Sequence, residues 1–285
     1  MMRQALIHYK IRWKPAGNMP GSKRGTAAGI GDQLRALVLL RDHPDPRRLD
    51  LRASMRDPFE RLWVRDFYLN TAFKVIVLLD ASASMGYVGQ GDRKAVALDI
   101  AAQLALSAYR SGDAFGVMCG NQTLLQKQCL PPRLNRSAWL WVRQNLASLV
   151  PSGDNADGLL QAAAQLPKRR SLVFIISDFR WAQGKLRQLL KALSHHDVVP
   201  ILLQDPAEYR ALPPRGFASV HDVETGHSRF VWMRPALHAR IAEARDTHLH
   251  EVERACHAYG SKPLLVRGEF DAAQLTRYFM ERVHE

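Results

Sequence analysis

The sequence predicts an α/β protein with a doubly wound, mostly parallel sheet that carries helices on both faces. From Lys74 onward, short aliphatic runs such as KVIVLLD, RSLVFIISD and DVVPILLQD alternate with stretches of helical periodicity. The runs are apolar at consecutive positions, which is typical of strands buried on both faces. Regular alternation of strand and helix favours a parallel sheet.

The remaining elements follow in chain order. A helix is predicted in DRKAVALDIAAQLALSAYRSG, ended by Gly112, then a strand in DAFGVMCG and a helix in SAWLWVRQNLASL with Ser137 as its N-cap. WAQGKLRQLLKALSHH reads as a further helix. The C-terminal part predicts a hairpin in GFASVHDVETGHSRFVWM, turned at ETG, and a long amphipathic helix. A strand in KPLLVRG and a helix capped by Asp271 close the chain.

The first seventy residues are less regular than the rest. They are rich in Gly, Pro and Arg and contain one strand-like run, HYKIRW. We therefore predict an N-terminal extension, residues 1–70, packed on a main domain, residues 71–285, which includes the C-terminal hairpin and helix.

Composition limits the class of protein. The chain has 285 residues, of which 47% are hydrophobic, enough for a sizeable core. No apolar run approaches the about 20 residues that cross a bilayer, and the N-terminus lacks the apolar centre of a signal peptide. Three cysteines without C-x-x-C spacing fit a reducing compartment. We expect a cytoplasmic protein with no membrane span.

The formal charge of +13 favours acidic partners. The arginines are mostly interleaved with acids, and neither an aromatic and basic RNA-binding pattern nor a helix-turn-helix pattern is present, so nucleic acid is the less favoured partner. The arginine-rich segment 45–65 has two equal interpretations, a docking surface for an acidic partner or a set of ion pairs.

Three polar side chains follow the first aliphatic run at alternate positions. Asp80, Ser82 and Ser84 stand in DASAS, where the buried strand ends. Ligands of open α/β sheets bind at the carboxyl ends of the strands. One carboxylate and two hydroxyls are oxygen donors of the kind that Mg²⁺ accepts, and so few protein ligands leave coordination positions open.

Two further stretches are expected at the same edge of the sheet. IISDF places Asp178 at the end of another buried strand, and SGDNADG forms a loop that enters a helix. Together these stretches predict a metal site that includes Asp80, Ser82, Ser84 and Asp178, beside the SGDNADG loop.

VLLDASASM resembles the metal-ion-dependent adhesion site of von Willebrand factor type A domains. That resemblance implies Mg²⁺, or Ca²⁺ or Mn²⁺, with Asp80, Ser82 and Ser84 as ligands and Asp178 as the distal aspartate. The threonine of the family's pattern falls on Asn155, which the resemblance implies as the fifth ligand, with Asp154 and Asp157 as neighbours that could substitute. This departure from the pattern leaves the metal affinity open.

Three other stretches resemble domain-of-unknown-function family 58. They are GIGDQLRAL, DPRRLDLRASMRDPFERLWVRDF and DPAEYRALPPRGFASVHDVETG, although the family's tryptophan in IDW is Leu51 here. The resemblance implies a bacterial von Willebrand A-like protein that works with a MoxR-type AAA+ ATPase, as an adaptor that presents an acidic client for maturation. Similarity to the member found in methanol dehydrogenase gene clusters makes that enzyme a candidate client.

Two other functions remain open from the residues. Asp80 could serve a magnesium-dependent phosphoryl-transfer enzyme, but the second acid such enzymes use is replaced by Ser82, which leaves no general acid. A basic nucleic-acid-binding protein is the other alternative. No P-loop motif is present, so ATP hydrolysis is expected from a partner. We predict a non-enzymatic, cation-dependent interaction module.

Overall fold

The computed structural model describes residues 6–13, 20–182, 184–210, 213, 215–221 and 228–282. Its strands are β1 (Pro20–Leu39), β2 (Trp63–Thr71), β3 (Lys74–Asp80), β4 (Ala114–Gly120), β5 (Leu130–Arg133), β6 (Leu172–Ser177), β7 (Asp197–Gln204), β8 (Gly216–His221), β9 (Ser228–Met233) and β10 (Leu264–Arg267). Its α-helices are α1 (Leu51–Met55), α2 (Arg93–Arg110), α3 (Ala138–Asn145), α4 (Asp157–Ala164), α5 (Lys185–Ala192), α6 (Ala207–Arg210), α7 (Pro235–His257) and α8 (Ala272–Glu281). Single 3-10 turns lie at Pro46–Arg48, Ala83–Gly86 and Gln126–Gln128.

The chain divides into two compact units. The larger comprises Lys74–Arg110 and Ala114–Glu285 with the described residues up to Lys10, and the smaller comprises Ile11–Phe73 and Ser111–Asp113. The predicted packing of residues 1–70 on the main domain stays a prediction.

A six-stranded sheet forms the centre of the larger unit. Its strand order is β10-β7-β6-β3-β4-β5, and every neighbouring pair is parallel except β4 and β5. All residues of β6, and all of β3 after Lys74, are buried, as their unbroken aliphatic runs predict. The predicted doubly wound α/β fold is confirmed.

Helices cover both faces of this sheet. On one face, Ile76 and Val173 pack in a core with Leu159 of α4, Leu190 of α5 and Val252 of α7. The other face carries α8, where the ring of Phe279 lies edge-on to Phe174 at a centroid distance of 6.1 Å. Alternate side chains of each strand thus enter two separate apolar layers.

The C-terminal elements follow the prediction. Strands β8 and β9 form an antiparallel hairpin, α7 follows, β10 extends the sheet beside β7, and the Asp271 carboxylate caps α8 by accepting from the Ala273 N–H at 3.0 Å. The predicted ETG turn lies outside the described residues. None of the described helices combines the length and the apolar character that crossing a bilayer requires.

One local prediction was wrong. HYKIRW is not a strand, because the Ile7 and His8 N–H groups donate to the side chains of Ser107 and Thr276 instead of to a neighbouring strand. The prediction that Ser137 is the N-cap of α3 is confirmed, although its hydroxyl donates to Asn135 Oδ1 at 2.9 Å and makes no capping hydrogen bond.

The smaller unit contains an antiparallel pair that the sequence did not predict, β1 with β2. Aspartates and arginines of the segment 45–65 pair with each other beside it. The distances are 2.8 Å for Asp50 and Arg65, 2.9 Å for Asp57 and Arg61, and 3.1 Å for Asp45 and Arg48. These contacts agree with the ion-pair interpretation of the segment.

Candidate metal centre

The predicted site residues lie where the order of the strands reverses. Strand β3 has β4 on one side and β6 on the other, and Asp80 is the last residue of β3. Asp178 directly follows β6. Because β3 and β6 are parallel neighbours, their carboxyl ends bring the two aspartates to one edge, at the switch point where ligands of such sheets bind.

Asp80 is held by three hydrogen-bond donors. Its Oδ1 accepts from the Ser82 N–H at 2.8 Å, and its Oδ2 accepts from Ser177 Oγ at 2.5 Å and from Trp181 Nε1 at 2.8 Å. The side chain is 2% exposed. These three donors fix the orientation of this carboxylate.

Ser82 and Ser84 place their hydroxyls between the two carboxylates. The chain leaves β3 into the 3-10 turn at Ala83–Gly86, which turns both serine side chains inward. Ser82 Oγ lies 3.3 Å from Ser84 Oγ, and Ser84 Oγ donates to Asp178 Oδ1 at 3.1 Å. Both serines are buried.

These oxygen spacings match those around a small hard cation. Mg²⁺ binds oxygen at about 2.0–2.1 Å in an octahedron, so adjacent ligand oxygens lie about 3 Å apart. The two spacings that involve Ser84 Oγ, 3.3 Å and 3.1 Å, are close to this value.

Asn155 lies in the loop beside the cluster but is engaged locally. Ala81 and Ala83 exchange backbone hydrogen bonds with that loop at 2.9 Å. The Asn155 amide oxygen accepts from the Asp157 N–H and its Nδ2 donates to Asp154 Oδ1, both at 3.1 Å. The structure brings the other four predicted residues into direct contact, with Asn155 next to them.

The two carboxylates repel each other in a dry environment. Burial, and then the negative charge of Asp178, raises the pKa of Asp80 from 3.8 to about 6. A cation between them would relieve both effects.

Arg93, the first residue of α2, is a site residue that the sequence did not predict. Its Nη1 donates at 2.7 Å to Asp178 Oδ2 and at 2.7 Å to the Ser84 carbonyl, and its Nη2 pairs with Glu208. The guanidinium is 3% exposed. A positive charge in the first turn of a helix is unfavourable because it opposes the helix dipole. An arginine at the start of a predicted helix is therefore the one sequence feature that indicates a paired site residue here.

Three more contacts of the site were also missed. Ser177 and Trp181 both reach Asp80, and His248 Nε2 lies 3.0 Å from the Asp178 carbonyl. Ser177 is detectable as a hydroxyl next to the strand-end aspartate. Trp181 and His248 carry no local signal, because their partners are distant in the chain.

Comparison with known proteins gives the family. Residues 44–251 match the family described as protein of unknown function DUF58. The chain belongs to this family. The predicted resemblance to the family is thereby confirmed, and two of the three quoted stretches, residues 45–67 and 205–226, lie within the match.

Relatives of this DUF58 chain occur in several bacteria. The uncharacterized protein Rv1480 of Mycobacterium tuberculosis strain H37Rv is 24% identical over 282 residues, 97% of this chain and 87% of its own length. A Paracoccus denitrificans protein is 33% identical over 102 residues, 36% of this chain and 97% of its own length. It is described as an uncharacterized protein in the moxR 3' region.

Two solved structures are similar in fold. The conserved hypothetical protein BatB of Bacteroides thetaiotaomicron has a TM-score of 0.48 at 15% identity, over 75% of this chain and 100% of that one. The SpRpn10 VWA domain has a TM-score of 0.38 at 13% identity, over 73% of this chain and 93% of that one.

The residues of this DUF58 protein fit a hard divalent cation. Asp80, Ser82, Ser84 and Asp178 offer oxygen donors alone, at spacings close to those of an octahedron. Arg93 supplies one fixed positive charge beside Asp178. The negative charge that remains available to attract a cation therefore resides mainly on Asp80.

Proposed function

We propose that this DUF58 protein is a non-enzymatic, divalent-cation-dependent interaction module. It would serve as an adaptor with a MoxR-type AAA+ ATPase during maturation of an acidic client. The observation that supports this proposal is the buried oxygen cluster of Asp80, Ser82, Ser84 and Asp178 at the carboxyl edge of the sheet. Four protein oxygens do not fill an octahedron, which leaves positions for an outside ligand.

The chain's own side chains fix the cluster before a partner arrives. Ser177 and Trp181 hold Asp80 from one side, and Arg93 holds Asp178 from the other. Asp80, Ser82 and Ser84, with Asp178, would hold Mg²⁺, Ca²⁺ or Mn²⁺, and the bound ion would supply positive charge for an acidic side chain of the partner. Such pre-organisation lowers the ordering cost of association.

The partner class has two supports outside the cluster. The Paracoccus denitrificans relative is described by its place in the moxR 3' region. The chain itself contains no P-loop motif, so nucleotide hydrolysis falls to the partner. Methanol dehydrogenase remains a candidate client because the sequence resembles the family member found in methanol dehydrogenase gene clusters.

The environment of Asp80 disfavours the phosphoryl-transfer alternative. A nucleophilic carboxylate needs an oxygen free to attack its substrate, whereas both oxygens of Asp80 accept hydrogen bonds from the chain. Position 82, where such enzymes place an acid, is a serine whose hydroxyl faces Ser84.

The test is metal-dependent capture of a MoxR-type ATPase from the same organism. The chain is immobilised, and binding is measured by biolayer interferometry in Mg²⁺ and in EDTA. We expect binding in Mg²⁺ that EDTA removes, and a loss of about tenfold or more in Asp80→Ala, because the charged ligand is gone.

Asp99→Ala is the matched control. Asp99 lies on α2 of the same unit and pairs with Arg143 at the surface, 2.8 Å away, so its removal should leave capture unchanged. Capture that survives both EDTA and Asp80→Ala would refute the proposed function.

A further inference from the structure

A groove lies directly beside the metal centre. It runs between the segment that follows β6 and the helix α7, and its volume is about 390 Å³. Ligand pockets commonly measure about 300–1,000 Å³, so the groove has room for a large side chain and its neighbours. The side chains that matter for its chemistry are Phe179, Trp181, Leu186, Arg187, His248 and Arg254.

The floor of the groove is apolar. Phe179 and Leu186 are buried, and the rings of Phe179 and Trp181 meet edge to face at a centroid distance of 5.3 Å. Phe179 has a φ of 53°, a left-handed conformation that is rare for an aromatic residue. Strained backbone of this kind is concentrated at functional sites.

The rim of the groove is positively charged. Arg187 and Arg254 are exposed, and within the described part of the chain neither has an ion-pair partner. Glu251 is the single acidic side chain among the described residues that line the groove. An acidic ligand is therefore favoured at the rim over a basic one.

Two side chains belong to the groove and to the metal centre at once. Trp181 lines the groove and donates to Asp80 at 2.8 Å, and His248 lines it and lies 3.0 Å from the Asp178 carbonyl. A ligand that fills the groove consequently sits one side chain away from the oxygen cluster.

The geometry points to this groove as the docking site for a segment of the protein partner in which a large apolar side chain is flanked by acidic residues. This inference rests on the proposed function and adds the place and the chemistry of the contact. The apolar side chain enters between Phe179 and Leu186, and the flanking acids face Arg187 and Arg254. One further acid is then close enough to reach the oxygen cluster.

The probe is a set of short fluorescein-labelled peptides of equal length. One carries a phenylalanine flanked by glutamates, the second replaces the phenylalanine by serine, and the third replaces the glutamates by glutamine. Fluorescence anisotropy in EDTA measures peptide binding to the groove in the absence of metal. We expect the first peptide to bind the chain and the other two to bind about tenfold more weakly, because each lacks one of the two contacts.

Arg254→Glu and Arg277→Glu are the matched variants. Both reverse one exposed arginine, but only Arg254 borders the groove, whereas Arg277 lies on α8. We expect Arg254→Glu to weaken the first peptide about tenfold and Arg277→Glu to leave its affinity unchanged. Equal weakening by both variants would mean diffuse charge attraction and would overturn the inference, as would absence of binding by the first peptide.

Trp181→Phe tests the link to the metal centre. Phenylalanine keeps an aromatic ring in the groove and removes the N–H that holds Asp80, so Mg²⁺ affinity in calorimetry should fall about tenfold while the peptide still binds. Unchanged Mg²⁺ affinity would overturn the link. Anionic vesicles or single-stranded DNA that compete for the groove better than the first peptide would overturn the choice of a protein partner.

The outcomes separate this inference from the proposed function. If ATPase capture depends on metal but Arg254→Glu does not weaken peptide binding, the proposed function is supported and the groove is not the docking site. If Arg254→Glu weakens peptide binding but Asp80→Ala does not weaken capture, the groove is supported as a docking site and the proposed function is refuted.

Discussion

The two edges of the central sheet each contain a buried pair of one arginine and one aspartate. At the carboxyl edge Arg93 pairs with Asp178, with side chains 3% and 1% exposed. At the amino edge Arg282 pairs with Asp197, the first residue of β7, with side chains 4% and 3% exposed. The two pairs are matched in composition and in burial.

The surroundings of the pairs differ. At the amino edge the nearby serine hydroxyl, that of Ser171, donates to the Arg169 carbonyl at 3.0 Å and does not meet the aspartate. At the carboxyl edge Ser84 donates to Asp178, and a second carboxylate, Asp80, lies beside it. We interpret the ion pair at the amino edge as structural, and the additional buried carboxylate with converging hydroxyls at the carboxyl edge as the proposed ligand site.

The largest expected effects come from breaking each pair. Asp197→Ala leaves the buried Arg282 without its carboxylate, and Arg93→Met leaves the buried carboxylates of Asp178 and Glu208 without Arg93. Each change lowers the free energy of unfolding by about 3–5 kcal/mol. Only the carboxyl edge should respond to metal. In urea denaturation, Mg²⁺ at about 100 times its Kd should restore about 2.7 kcal/mol to Arg93→Met.

Asp197→Ala provides the control for the location of the metal. It retains the whole carboxyl edge, so Mg²⁺ should stabilise it by the same amount as the wild type. If Mg²⁺ stabilises Arg93→Met no more than it stabilises Asp80→Ala, the prediction that the carboxyl edge binds the metal is wrong.

The second effect is a pH dependence specific to the carboxyl edge. Because the folded protein raises the pKa of Asp80 from 3.8 to about 6, it binds this proton more tightly than the unfolded chain does. The contribution of Asp80 to stability is therefore fully present below about pH 4 and is lost as the pH rises to about 6, a decrease of about 3 kcal/mol.

Asp80→Asn should abolish this decrease. The measurement is the difference in unfolding free energy between wild type and Asp80→Asn in EDTA, followed from about pH 4 to about pH 7 by urea titration. A difference that does not change with pH would contradict the assigned burial of the charge. Mg²⁺ should bind more weakly below about pH 6, since the ligand has to be deprotonated.

The smallest effect separates two buried serines. Ser84→Ala removes the hydroxyl that contacts Asp178 and Ser82, and Ser171→Ala removes the hydroxyl that donates to the Arg169 carbonyl. Each hydrogen bond is worth about 1 kcal/mol of stability. Mg²⁺ affinity in calorimetry should fall about tenfold in Ser84→Ala alone. Equal Mg²⁺ affinity in the two variants would show that the hydroxyls at the carboxyl edge are not ligands.

The sheet was predictable from the sequence because its strands are buried on both faces. The runs of β3 and β6 are apolar throughout, so no other element accommodates them as well. The pair β1 and β2 was not predicted, because β1 carries glycines, arginines and lysine where alternating apolar residues would mark a strand.

The residues of the candidate site also fall into a group that the sequence predicted and a group that it did not. Asp80, Ser82 and Ser84 were found by their spacing, and Asp178 by its place after a buried strand. Arg93, Trp181 and His248 contact the aspartates across 85, 101 and 70 residues of chain. Contacts over such separations depend on the folded topology, and no local pattern in the sequence encodes them.

The hydrogen bond from Trp181 to Asp80 also provides a spectroscopic probe of the site. An indole proton that points at a carboxylate resonates at a frequency that depends on the charge of that carboxylate. The Trp181 Nε1–H signal should therefore move when Asp80 takes up a proton or a cation, and Trp181→Phe identifies the signal by its disappearance. One indole N–H group of the chain thus serves as an NMR probe of the state of a single buried carboxylate oxygen.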